Sequence, residues 1–250
     1  MTLLLPELVF AAGLVFARLG AVLMLMPGFG EQSIPPRIRL SFALMVSLVM
    51  GPIVAPILPA MPEAPLALAG LVISEVLIGM MIGAVARLFL STAAVAGQII
   101  GMQSGLAMAQ SFDPTQGQSA AIVATFLNLV FMVLIFVTNL HHMLLQTAAN
   151  SYEVFPVAGL PPMSDAALWA MNAFVDAFRI ALQLAAPLIV YGLTFYLSLG
   201  VLSRLMPQVQ IFFIAMPSNI MAGLFILTIA LGTMSMVWLE RMQRFAIDMN

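Results

Sequence analysis

The chain contains no cysteine and no lysine, and only 7% of its 250 residues carry a formal charge. Without cysteine there are no disulfides, no thiolate metal sites and no thiol nucleophiles. The eight basic residues are all arginine and lie scattered, so the clustered basic footprint of a nucleic-acid-binding protein is absent. Histidine is confined to the neighbours His141 and His142. Consecutive helical residues point about 100° apart, so the two do not serve one metal or haem. Paired carboxylates, a nucleophile–base set and a phosphate-cradling glycine loop are also missing. A non-enzymatic protein is expected, with no catalytic residue, no cofactor and no metal site.

What the chain does have is apolar length. Hydrophobic residues make up 63% of it, whereas a soluble domain spends about 25% of its residues on charge. Eighteen charges in all (8 basic plus 10 acidic) cannot clothe a water-exposed surface of this size. Ile180–Ser203 and Leu205–Leu239 hold no charge, and about 20 apolar residues suffice to cross the hydrocarbon as a helix. The fold class is therefore an all-α polytopic helical membrane protein, with residues 1–250 read as a single membrane-embedded domain. Met1–Phe10 has no positively charged n-region ahead of its apolar run. The first helix is accordingly expected to remain in the mature protein.

Helices are expected over about 7–27, 38–58, 66–92, 93–111, 118–149, 166–203 and 208–240. Pro27-Gly28-Phe29-Gly30 closes the first, Pro35-Pro36 opens the second, and Pro52, Pro56, Pro59, Pro62 and Pro65 keep the next connection extended. Pro156 and Pro161-Pro162 mark another loop, and Pro187, Pro207 and Pro217 are expected to interrupt apolar runs. The arginine pairs Arg37/Arg39 and Arg241/Arg244 belong in the cytoplasm by the positive-inside rule. Loops carrying Glu63, and Glu153 with Asp165, have no basic residue and suit the outside. That orientation needs an odd number of crossings, which six simple spans do not supply. A re-entrant segment, or an arrangement other than a row of lipid-exposed spans, resolves the conflict. The echo between Arg18…Met26-Pro27 and Arg204…Met206-Pro207 is too slight for an inverted-repeat transporter.

The most specific local pattern is a ladder of small residues, Ala93, Gly97, Gly101, Gly105 and Ala109, with Gly79 and Gly83 at the same spacing earlier. Small ridges let backbones approach, which is how helices associate in lipid. The partner is a helix of this chain or of another subunit. Overlapping the ladder, Gln98–Gln118 is rich in amides and methionine: Met102, Gln103, Met108, Gln110 and Gln116 surround Phe112-Asp113-Pro114. Asp113 reads as a helix N-cap with Pro114 in the first turn. An uncharged break of this kind suits a pore constriction, since methionine fills irregular gaps; an exposed loop is the alternative. Arg18, Glu75, Arg87, Asp176 and Arg179 fall in or near apolar runs. Each costs about 2.5–3.5 kcal/mol at the bilayer centre and must face protein or water. Asp176 and Arg179, three apart, are expected to form a buried charge pair, acting as structural glue rather than as a proton relay.

The run Gly97-Gln98-Ile99-Ile100-Gly101-Met102-Gln103-Ser104-Gly105, followed by Phe112-Asp113-Pro114, resembles the central signature of the FliR/SctT family of type III export-gate subunits. Arg18–Pro27, His141-His142 through Ser151-Tyr152 and Pro156, and Arg204 with Pro207-Gln208, Ile211-Phe212 and Pro217 are similar to further stretches of that family. The resemblance implies one copy in a spiral, closed channel core with several copies of FliP and FliQ, with FlhB and FlhA nearby and unfolded flagellar proteins as cargo. It implies kinked hairpins packed against neighbours, in the bacterial inner membrane at the flagellar basal body, part of the core standing on the periplasmic side. It gives Met102–Gln118 the role of a plug loop. A virulence-type secretion subunit is the nearest alternative; a secondary transporter with discontinuous helices, or a structural subunit of another complex, would be a different class.

Overall fold

A computed structural model of the chain describes residues 5–106, 119–157, 163–208 and 210–248. Among these the long elements are seven α-helices: α1 Leu5–Leu25, α2 Pro36–Val54, α3 Pro65–Gln103, α4 Ser119–Val137, α5 Leu140–Val154, α6 Met163–Leu205 and α7 Ile211–Asp248. The all-α polytopic class is as the composition requires. Five helices are long and apolar enough to cross a membrane, or six spans if the bent pair α4–α5 counts as one.

Proline and glycine set most ends. α2 and α3 both start on proline, whose missing N–H is no loss in a first turn. α1 ends in a turn built on Gly28, at φ +88°. A Cβ there would sit 2.9 Å from the Phe136 ring, so the turn needs glycine twice over.

Three expected breaks differ. Residues 66–92 and 93–111 were expected as separate helices, but α3 runs unbroken for 39 residues. No proline separates them, and glycine alone weakens a helix without ending it. Pro187 and Pro217 lie inside α6 and α7 and do not interrupt them. Proline is tolerated within membrane helices when neighbours satisfy the freed backbone groups. Pro187 and Gln183, whose carbonyl loses its i+4 partner, line a recess of about 300 Å³ together with Thr233, Glu240 and Arg241. Residues 118–149, expected as one helix, are instead broken between α4 and α5 with a bend of 75°. Asn139 takes φ 57° there, and asparagine is among the few residues that adopt the left-handed region at low cost.

The chain forms two compact units. The first comprises Met1–Phe89, Ile135–Phe174 and Met242–Asn250. Its buried residues include Leu14, Leu19 and Val22 of α1, Ile78 and Ile82 of α3, and Leu140 and Leu144 of α5. Gly79 and Gly83 let the α1 backbone lie against α3, since a Cβ on either would collide with the carbonyls of Arg18 or Val22. The second unit comprises Leu90–Leu134 and Val175–Arg241. Its centre holds Ala96, Ile100, Leu127, Leu184 and Leu188, with Phe131 stacked on Trp238 at 4.6 Å. Val190, Leu193, Leu197 and Val201, along one side of α6, stay exposed, as do Phe225 and Ile229 of α7. Apolar surface on this scale belongs against lipid or protein.

Candidate functional site

Two polar centres stand out, one in each unit. In the first, Glu75, Gly79, Gly83 and Arg87 repeat every four residues along α3 and so share a face. The two glycines bring α1 close, and Arg18 of α1 reaches Glu75. Its Nε donates to Oε2 at 2.7 Å and its Nη2 to Oε1 at 2.9 Å, the parallel fork that guanidinium and carboxylate favour. Nη1 donates to the Ser151 carbonyl at 3.0 Å, and the guanidinium lies 4.1 Å from the centre of the Tyr152 ring. Both side chains of the pair are essentially out of reach of solvent. Sequence reasoning flagged Arg18 and Glu75 separately and did not join them. The available signal was the rule that opposite charges inside apolar runs must find each other.

In the second unit the end of α3 is held by three other residues. Asn219, nearly fully buried in α7, accepts the Tyr191 hydroxyl on Oδ1 at 2.9 Å. Its Nδ2 donates to the Gln103 carbonyl and to the Tyr196 hydroxyl, both at 3.4 Å. The backbone then turns through Gly105, at φ +75°, the left-handed cap with which helices often end. Gly192 and Gly223 complete the fit: a Cβ on Gly192 would strike the Gln103 side chain, and one on Gly223 would strike Ser104. Beside this seat is a cavity of about 30 Å³ lined by Gly105, Tyr196, Leu199 and Asn219, room for one water. Sequence reasoning missed Asn219, Tyr191 and Tyr196. A lone amide in an apolar helix was the clue, because it needs partners as much as a charge does.

Of the ladder, Ala93 and Gly101 are buried, and a Cβ on Gly97 would collide with the backbone of Ala124 in α4. That rung therefore meets a helix of the same chain. Gly105 lies past the helix end as its cap, and Ala109 lies outside the described residues. Of the plug residues, Met102 is exposed and Gln103 half-buried at the end of α3. Met108, Gln110, Phe112, Asp113, Pro114 and Gln116 lie outside the described residues. Asp176 and Arg179 do pair, at 3.4 Å, but both side chains are exposed. Among the described residues nothing buries that pair; the pair they do bury is Arg18 with Glu75. Of the family-like stretch near the end, Arg204 closes α6, Pro207 and Gln208 form the exposed turn after it, Phe212 lies in the first turn of α7 and Pro217 within that helix. Among the described residues no cluster of potential ligands could hold a metal.

Residues 9–245 match the family described as bacterial export proteins, family 1. The chain belongs to that family. A protein of Caulobacter vibrioides named flagellar biosynthetic protein FliR is 45% identical over 93% of this chain and 93% of its own length. Proteins of the same name from Escherichia coli and Bacillus subtilis are 31% and 26% identical, covering 83% and 90% of this chain and 78% and 87% of their own lengths. Family membership thus spans both units and both polar centres.

Proposed function

We propose that this chain is a non-enzymatic subunit of the flagellar type III export gate, helping to form and close the channel through which unfolded flagellar proteins cross the inner membrane. The observation that carries the reading is the match to bacterial export proteins over residues 9–245, together with 45% identity to a protein named for flagellar biosynthesis. In this reading residues 1–250 act as one membrane domain, assembled with FliP and FliQ into a spiral core beside FlhB and FlhA. The core sits at the flagellar basal body, partly on the periplasmic side. The segment leaving Gln103, including Met108, Gln110, Phe112, Asp113, Pro114 and Gln116, is the plug. The Asn219–Tyr191–Tyr196 seat supports that role, because it holds the Gln103 end of α3, from which the segment continues.

The test is deletion of the gene in its host, with flagellin secretion and motility measured, and purification of the tagged chain in mild detergent. Loss of both outputs, with many copies of two small helical partners in the purified complex, is expected. A chain that purifies alone or as a dimer overturns the reading in favour of a transporter. Loss of virulence-type secretion with motility intact moves it to the other branch of the family.

A further inference from the structure

Between α6 and α7 the second unit holds an open recess of about 300 Å³. Leu184 and Met234, both buried, line its inner side, and Pro187 and Val237 are exposed at its edges. At one end it meets Gln183, Glu240 and Arg241. Gln183 and Glu240 are exposed and Arg241 is half-buried, so these groups are open to an occupant. Among the described residues Arg241 enters no ion pair. Consecutive helical residues point about 100° apart, so Glu240 and Arg241 present a negative and a positive point side by side. At the other end Thr233 turns its hydroxyl back to the Ala230 carbonyl at 2.8 Å, which leaves that end apolar in character.

The recess stands where charge ends on both helices. From Pro187 to Ser203 on α6, and from Ile211 to Leu239 on α7, no residue is charged. Gln183 lies about 32 Å along α6 from Arg204, at 1.5 Å per residue, and the hydrocarbon layer of a bilayer is about 30 Å thick. With Arg204 at one headgroup level, the recess is at the other. One turn into the uncharged stretch, Val190 follows Pro187 and Ile229 precedes Thr233 on the same helix faces, and both are exposed. We propose that the recess binds phosphatidylethanolamine. The phosphate accepts from Arg241, the ammonium donates to Glu240, the Gln183 amide donates to an ester carbonyl, and an acyl chain follows Val190 and Ile229. An anionic headgroup would set a like charge against Glu240, and a lone cation would set one against Arg241. Glu240 and Thr233 are two turns apart, about 10 Å along α7, a length that suits a lipid rather than one side chain of a neighbouring subunit. Binding needs a bilayer and no partner subunit, so it stands apart from the gate reading.

The experiment is native mass spectrometry of the full-length chain and of its assembled complex in mild detergent, after exchange into dioleoyl-phosphatidylethanolamine, -phosphatidylglycerol or -phosphatidylcholine. Phosphatidylethanolamine should be retained roughly ten-fold above phosphatidylcholine, whose quaternary ammonium has no hydrogen to donate, a ratio matching one charge-assisted hydrogen bond. Val237→Phe, which fills the recess without touching a charge, should lose the bound lipid, whereas Leu202→Phe on the exposed surface of α6 should keep it. Glu240→Gln should bring phosphatidylethanolamine down to the level of phosphatidylcholine, and Arg241→Gln should weaken all three lipids. If Val237→Phe does not fold, the ranking of the lipids on Glu240→Gln decides alone. Equal retention of the three lipids by the wild type overturns the proposal, as does full retention by Val237→Phe or an unchanged ranking in Glu240→Gln. Displacement by millimolar inorganic phosphate overturns it in favour of a free anion. Lipid held by the isolated chain but absent from the complex overturns it in favour of a neighbouring subunit.

Discussion

Arg18 and Glu75 lie 57 positions apart in the chain and form a two-point ion pair inside the first unit, with no solvent at either side chain. A buried pair of this kind adds little over an apolar pair of the same size, yet breaking one half strands the other charge. Glu75→Gln should therefore cost about 3–5 kcal/mol, and the double replacement Arg18→Met/Glu75→Leu should be milder than either single change. Thermal aggregation of the detergent-solubilised chain checks both. A double replacement as damaging as the sum of the singles would mean that the two residues act separately.

Gly97 meets the Ala124 backbone, while Gly200 and Gly232 have open space where a Cβ would go. Gly97→Leu should abolish stable expression by prising α3 from α4. Gly200→Ala and Gly232→Ala should leave the isolated chain intact or stabilise it by up to about 1 kcal/mol, alanine being the better helix former. Yield and melting temperature in detergent distinguish the two classes, and normal yield for Gly97→Leu would refute the close contact.

Asn219 serves three partners at once, so Asn219→Ala removes three hydrogen bonds and leaves two tyrosine hydroxyls and the Gln103 carbonyl to find others. If the seat aims the plug, gates built with this variant assemble but leak. Ion permeability of cells making the variant is measured alongside complex yield. Assembled gates that stay tight would confine Asn219 to a packing role.

Shortening the chain between Gly105 and Gln118, with Asp113-Pro114 kept, should likewise give assembled but permeable gates. Methionine and amide side chains fill an aperture without charges that would hold a passing chain. Cells that remain impermeable while secretion is lost would make the segment a connector.

Asp176 and Arg179 stand exposed on α6, where an ion pair in water contributes about 0–1 kcal/mol. Asp176→Asn should leave the chain itself stable but reduce recovery of the assembled complex if a partner covers the pair. The neutral double variant should then recover better than the single. Equal recovery for all three proteins would place the pair in water.

The sequence alone determined the class of this protein: too little charge to meet water and uncharged runs longer than a bilayer. Local rules also fixed the turns at Gly28–Gly30 and Pro35-Pro36, because proline and glycine act on the residues beside them; the cap at Gly105 was not among them, since the four-residue spacing reads that glycine as a rung of a helix running to 111, whereas α3 ends at Gln103. The continuity of α6 and α7 through Pro187 and Pro217 was not legible, since a proline's effect on a membrane helix depends on what the tertiary fold packs around the freed carbonyl. Nor were the pairings. Period and spacing placed Asp176 next to Arg179 because both lie on one helix, but burial is a property of what packs over a helix, and none of the described residues does so there. Arg18 found Glu75 and Asn219 found Gln103 across long stretches of chain. Only the tertiary fold decides such meetings, because in an apolar interior each polar group must take whichever partner the packing brings within reach.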